Sequence, residues 1–173
     1  MSHLRPWRET DAPVLLAAVE DRDLARQLPE LDSLAAAEQW CRTEPDPDLR
    51  QWCIADEQDR PVGGAGAGLR RRMRVAWVWY WLLPEARGRG RATRALTALV
   101  GVLFAEGMFR IELRHRLSNP ASQRVAERAG FIREGVLRSE LEYDQVRYDT
   151  AVMSRLRTDP APVTEPLPIQ EDR

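Results

Sequence analysis

The strongest constraint on the fold is a change of pattern near the middle of the chain. Residues 75–83 form an unbroken apolar and aromatic run, with Trp77, Trp79 and Trp81 on one side of an extended backbone and Ala76, Val78, Tyr80 and Leu82 on the other. A strand that is apolar on both faces belongs in the middle of a sheet. Pro84 ends it, and the segment Glu85-Ala86-Arg87-Gly88-Arg89-Gly90-Arg91-Ala92 follows. Leu96, Leu99, Val100, Leu103 and Phe104 then recur at helical spacing up to Gly107, a residue suited to ending a helix. Residues 109–115 alternate as a further strand. A strand, a turn, a helix and a strand in this order predict a right-handed crossover with parallel strands, whose ligands sit at the carboxyl ends of those strands.

The turn itself reads as an anion cradle. Glycine allows positive φ and close backbone approach, and a helix N-terminus offers unpaired N–H groups at the positive end of its dipole. Other Gly-rich cradles are excluded by spacing. No Gly-Lys-Ser/Thr follows, and Thr93 stands where a dinucleotide fingerprint needs its third glycine. Gly63, Gly64, Gly66 and Gly68 match no nucleotide loop either, and are predicted to be strand backbone under close packing.

Around this unit, short strands are expected at residues 4–7, 51–55 and 61–69. Helices are expected at 14–19, after Asp11-Ala12-Pro13, and at 34–42, ended by Pro45 and Pro47. The basic turn at residues 70–74 reads as a solvated hairpin. Asn119-Pro120 opens a later helix that carries Ser122, Val125, Ala126 and Ala129 on one face, and residues 131–137 and 147–156 pair as a last hairpin. Residues 158–173, with four prolines, are expected to be a disordered tail.

Composition narrows the partners. All 26 basic residues are arginine against 27 acidic ones, so a net charge of −1 provides no global field for nucleic acid. Cys41 and Cys53 share no metal-ligand spacing, no metal is expected, and a reduced, cytoplasmic protein is the simplest reading. The longest apolar run is half the length of a membrane span, so no membrane partner is expected.

Residues 81–90, Asn119-Pro120-Ala121-Ser122, Ala129-Gly130-Phe131 and Glu134-Gly135-Val136-Leu137 together resemble the RimJ/RimL branch of the GNAT superfamily of N-acetyltransferases, over roughly residues 3–157. The resemblance implies an α/β fold, with a mixed central sheet of about seven strands, a splayed parallel pair and about four helices. It implies acetyl-coenzyme A as cofactor and a primary amine as acceptor, either a peptide N-terminus or a small molecule. Backbone at Trp81, Leu82 and Leu83 would hold the pantetheine arm. Arg87, Gly88, Arg89, Gly90, Arg91 and Ala92 would hold the pyrophosphate, and Asn119 would contact the arm or simply cap its helix. Ser122 matches the position proposed to protonate the leaving thiolate, whereas the tyrosine site of other relatives is Ala126 here. A glutamate base is expected where Leu141 falls, which leaves Glu140 and Glu142 as candidates. Relatives often read Glu-Ile-Gly-Tyr-Trp where this chain has Trp77-Val78-Trp79-Tyr80-Trp81. Sheet packing explains those indoles best, although they would also narrow an acceptor site. A homodimer is the assembly expectation. A non-catalytic coenzyme A sensor and a transferase using another donor such as succinyl-coenzyme A stand as alternatives.

Overall fold

Seven strands form one sheet in the order β1 (His3–Arg5), β2 (Leu49–Ala55), β3 (Pro61–Arg70), β4 (Val75–Leu82), β5 (Arg110–Arg116), β7 (Val146–Leu156) and β6 (Ile132–Tyr143). The computed structural model describes residues 1–25, 28, 31–42 and 46–170, so Pro45 lies outside the described residues. Among these seven strands only β4 and β5 pair in parallel, and the mixed seven-stranded sheet is the one the resemblance implied. The helices are α1 (Ala12–Glu20), α2 (Arg22–Ala25), α3 (Leu34–Arg42), α4 (Arg91–Ala105) and α5 (Pro120–Arg128). With the short α2 the described residues hold five helices, in keeping with the expectation of about four.

The two faces of β4 are buried against different helices. Ala76, Val78 and Leu82 join Leu96, Leu99 and Leu103 of α4 in the main core, while Trp81 packs with Leu15 of α1 and Ala37 of α3 in a second cluster. Alternation along the strand therefore puts α4 on one side of the sheet and α1 and α3 on the other. Trp7 stacks on Trp81, with centroids 6.1 Å apart and planes within 13°. Helix α1 and α3 cover only that end of the strand. Trp77, expected to be covered like its neighbours, is 47% exposed.

Two glycines of β3, Gly64 and Gly66, are explained by the same indoles. Gly64, Gly66 and Gly68 lie opposite Trp81, Trp79 and Trp77 in the β3–β4 register. A Cβ at Gly66 would sit 2.5 Å from Trp79 Cζ2 and 2.7 Å from the Arg50 carbonyl, and one at Gly64 would sit 2.7 Å from Trp81 Nε1. Bare backbone lets the rings lie across the neighbouring strand, as close packing predicted.

Both crossover helices end as their sequences indicate. Gly107 (φ 93°) and Gly130 (φ 84°) take the left-handed conformation just past α4 and α5. The amides of Met108 and Phe131 return to the carbonyls of Leu103 and Ala126, which pairs groups that a helix end otherwise leaves bare. At the sheet edge the buried Arg5 donates to both oxygens of Asp11, at 2.6 and 3.0 Å, and to Asp59 at 2.8 Å. This ties β1 to the start of α1.

The C-terminal segment departs from expectation: through residue 170 it is laid against the domain instead of being disordered. Leu4 donates to Pro168 and accepts from Gln170, Leu167 donates to the Arg94 carbonyl, and the Leu167 side chain is buried in the main core. Proline tolerates this role because an extended strap along an edge strand needs few donors of its own. The strap also covers the outer edge of β1, which would otherwise present unpaired backbone. Among the described residues no helix is long and apolar enough to cross a membrane.

Substituting Gly66→Ala should lower stability by about 1–3 kcal/mol through displacement of Trp79. Gly68→Ala, where a Cβ meets nothing within 4 Å, should be close to neutral. Thermal melts of the two variants against the parent check this contrast.

Candidate active site

The site begins where β4 and β5 stop pairing. Their register covers only Val75–Arg110, Ala76–Ile111 and Trp77–Glu112. Beyond that, β4 continues with β3 as far as Leu82, and β5 continues with β7 as far as Arg116. The Leu83 amide donates to Val62 on the β3 side, so by strand alternation the backbone groups of Tyr80 and Leu82 face the opening. Of the three residues expected to hold a cofactor arm through their backbone, Leu82 faces the gap, whereas Leu83 and, two residues earlier, Trp81 are turned toward β3. Leu82's carbonyl also accepts from Arg87 Nε at 3.0 Å.

Two cavities open from this gap. One, of about 460 Å³, is lined by Trp81 and Leu82, by Arg87, Gly88, Gly90, Arg91, Ala92 and Thr93 of the cradle, and by one face of α5. The other, of about 520 Å³, is walled by Trp77 and Trp79 of β4, Arg114 and Arg116 of β5, and Glu140, Leu141 and Tyr143 of β6. Asp23, Tyr80, Arg116, Asn119 and Ser122 line both. The cavities therefore meet at the splay.

The cradle is built as its sequence suggests. Gly88 (φ 76°) and Gly90 (φ 72°) are left-handed, and Gly90 is the cap from which α4 starts. The first amides of α4 have no intrahelical partner by construction. Arg91 contributes backbone only, since its buried guanidinium turns away to Ser2 and Glu57, each at 2.9 Å. Arg89 is exposed and lines neither cavity. Besides the backbone of Arg91, four arginines, namely Arg87, Arg116, Arg124 and Arg128, line the cradle-side cavity against the single carboxylate of Asp23. An open positive-φ loop, free helix amides and this charge excess fit a pyrophosphate-bearing cofactor. Arg124 and Arg128, one helical turn apart on α5, were missed although their spacing was visible in the sequence.

Asn119 caps α5, its Oδ1 accepting from the Ser122 amide at 3.0 Å. That contact fixes Ser122 in the first turn, where its Oγ lies 2.7 Å from the Tyr80 hydroxyl. Burial pushes the Tyr80 phenol up to about 12, against a smaller opposing effect of the bond to Ser122, so the ring keeps its proton at neutral pH. The sequence alone places Tyr80 in the packing of the sheet. Its partnership with Ser122 joins residues 42 positions apart and has no local signal. Ala126, the alternative hydroxyl position, is fully buried in the core.

The two candidate bases are separated by the structure. Glu140 lines the Trp-walled cavity, held by Arg114 and the Thr150 hydroxyl. Glu142 pairs with Arg147 at 2.5 Å and lines neither cavity. An irregularity between Leu137 and Leu141 causes this difference by shifting the β6–β7 register. His115, also unforeseen, is buried with Nδ1 donating to the Arg116 carbonyl at 2.9 Å, and its Nε2 has no hydrogen-bond partner among the described residues. Those residues include no metal-holding cluster of His, Cys, Asp and Glu.

The family model described as the acetyltransferase (GNAT) domain matches residues 3–132. The chain belongs to the GNAT acetyltransferase family. Solved structures agree on the fold of this GNAT chain. Spermidine N-acetyltransferase from Vibrio cholerae, in complex with CoA and spermine, has 20% identity and a TM-score of 0.81, covering 91% of this chain and 96% of its own. The microcin C7 self-immunity acetyltransferase MccE, in complex with acetyl-CoA and AMP, has 18% identity and a TM-score of 0.78, covering 90% and 92%. No curated protein sequence matches the chain.

Gly90→Ala forces a side chain into positive φ and should cost about 1–2 kcal/mol, together with several-fold weaker coenzyme A binding by calorimetry. Gly101→Ala, in the middle of α4 with open space around it, should instead stabilise by about 0.5–1 kcal/mol and leave binding unchanged.

Proposed function

We propose that this GNAT protein is an acetyl-coenzyme A dependent N-acetyltransferase in which a primary amine attacks the donor directly in a ternary complex. The meeting of two cavities at the Tyr80–Ser122 hydroxyl pair carries the reading. A coenzyme A sensor needs only the cradle-side cavity, whereas a transferase needs a second approach to the same point. Cys41 and Cys53 are both free, which fits action in a reducing cytoplasm.

Cofactor contacts come from the amides of Gly88, Gly90 and Ala92, with Arg87, Arg124 and Arg128 supplying charge. Bound there, acetyl-coenzyme A supplies the thioester at which a carbon–nitrogen bond forms as the carbon–sulfur bond breaks. Ser122 Oγ delivers a proton to the departing sulfur and regains one from solvent, while the Tyr80 hydroxyl, which keeps its own proton, holds Ser122 Oγ in place. Asn119 orients Ser122 through its amide. Glu140, across the Trp-walled cavity, receives the proton released by the amine. Arg116, shared by both cavities, is paired with Asp23 at 3.1 Å. A carboxylate on the acyl group of the donor, as in succinyl-coenzyme A, would meet a cation that is already matched, which favours acetyl.

Free-thiol release from acetyl-coenzyme A over a panel of amines, with calorimetric titration of the cofactor, tests the reading. Binding together with turnover supports it, and binding without turnover on any amine favours the sensor. Ser122→Ala should reduce kcat about 100-fold or more with little change in the KM for acetyl-coenzyme A. Tyr80→Phe should reduce kcat by a smaller factor, about tenfold, because it removes the partner hydroxyl and leaves the ring in place.

A further inference from the structure

The Trp-walled cavity carries information about the acceptor that the cradle does not. Trp77 is 47% exposed although it stands on the central strand of the sheet, and its ring lies 5.5 Å from that of Trp79. Across the cavity, Tyr143 sits 5.8 Å from Tyr148, and the Arg116 guanidinium lies 5.7 and 5.6 Å from the two rings. Both walls are thus aromatic and separated by open space.

The charges facing this space cancel. Its carboxylates are Asp23, paired with Arg116, and Glu140, paired with Arg114. A polyamine carries several positive charges and needs carboxylates to spare; here each carboxylate is already matched by a guanidinium. An uncharged, flat group gains more, because it covers indole surface that is otherwise left in water and meets the ring edges and faces that aromatic pairs prefer.

We propose that the acceptor is a monoamine carrying an aromatic ring, which lies against Trp77 and Trp79 while the amine reaches through the splay toward Tyr80 and Ser122. This assignment rests on the transferase reading. An α-amine next to the ring suits the site best, since with a pKa of about 7.7–8.0 it is roughly a tenth neutral at pH 7 and asks little of an ion-paired Glu140. Either a free aromatic amino amide or a peptide with an aromatic first residue presents this chemistry.

The test compares kcat/KM of the full chain, with acetyl-coenzyme A, for phenylalanine amide, alanine amide, tetrapeptides beginning with Phe or Ala, and spermidine. The expected result is a preference of about tenfold for the aromatic member of each pair, with spermidine the poorest. Trp77→Ala should bring that preference close to one without changing the KM for acetyl-coenzyme A, while Trp77→Phe retains most of it. Preference in the amide pair supports a small-molecule source, and preference in the peptide pair alone supports a protein N-terminus; both support the aromatic subsite. Turnover with equal rates for Phe and Ala acceptors, or with spermidine the best acceptor, overturns the subsite and leaves the transferase standing. Cofactor binding without turnover on any of the amines overturns both.

Discussion

The parting of β4 from β5 after three residue pairs is the constraint on which the rest of the molecule depends. Each strand has a full-length antiparallel neighbour on its other side, β3 for β4 and β7 for β5, so each is held in place while the pair between them opens. The opening leaves backbone polar groups of β4 without a ladder, which a protein tolerates only where water, a side chain or a ligand can satisfy them. Arg87 takes one, at the Leu82 carbonyl. Everything assigned to the site, from the cradle at the end of β4 to the hydroxyl pair below it, lies along that edge.

Holding β4 rigid falls to its side chains. On one face it is fixed by α4, whose Leu96, Leu99, Val100 and Leu103 are fully buried, and on the other by the Trp7–Trp81 stack beneath α1 and α3. Gly64 and Gly66 of β3 let the indoles lie across the neighbouring strand, so residues that look like a loop motif in sequence serve as a floor for aromatic rings. Toward Trp77 that helical cover runs out. The indole face of the strand is then buried at its carboxyl end and open at Trp77, which is how one element serves both as core and as cavity wall.

Electrostatics divides the two cavities. The cradle side carries a surplus of arginine together with the positive end of α4, while on the Trp-walled side arginines and carboxylates match one for one. In a chain whose net charge is −1, this difference arises entirely from placement.

Much of this was legible in order. The alternation of residues 75–82, the glycines at positions 88 and 90, the helical spacing from Leu96 to Leu103 and the Asn119-Pro120 cap are local signals, because strand, turn and helix preferences act over a few residues. They located the crossover and the cradle, and with them the GNAT family. The meeting of Tyr80 with Ser122, the turning away of the Arg91 guanidinium to Glu57, the exclusion of Glu142 by a register shift and the docking of Leu167 were not legible. Each depends on which distant surfaces come together, and burial, sheet register and the pairing of charges are settled only when the whole chain has packed.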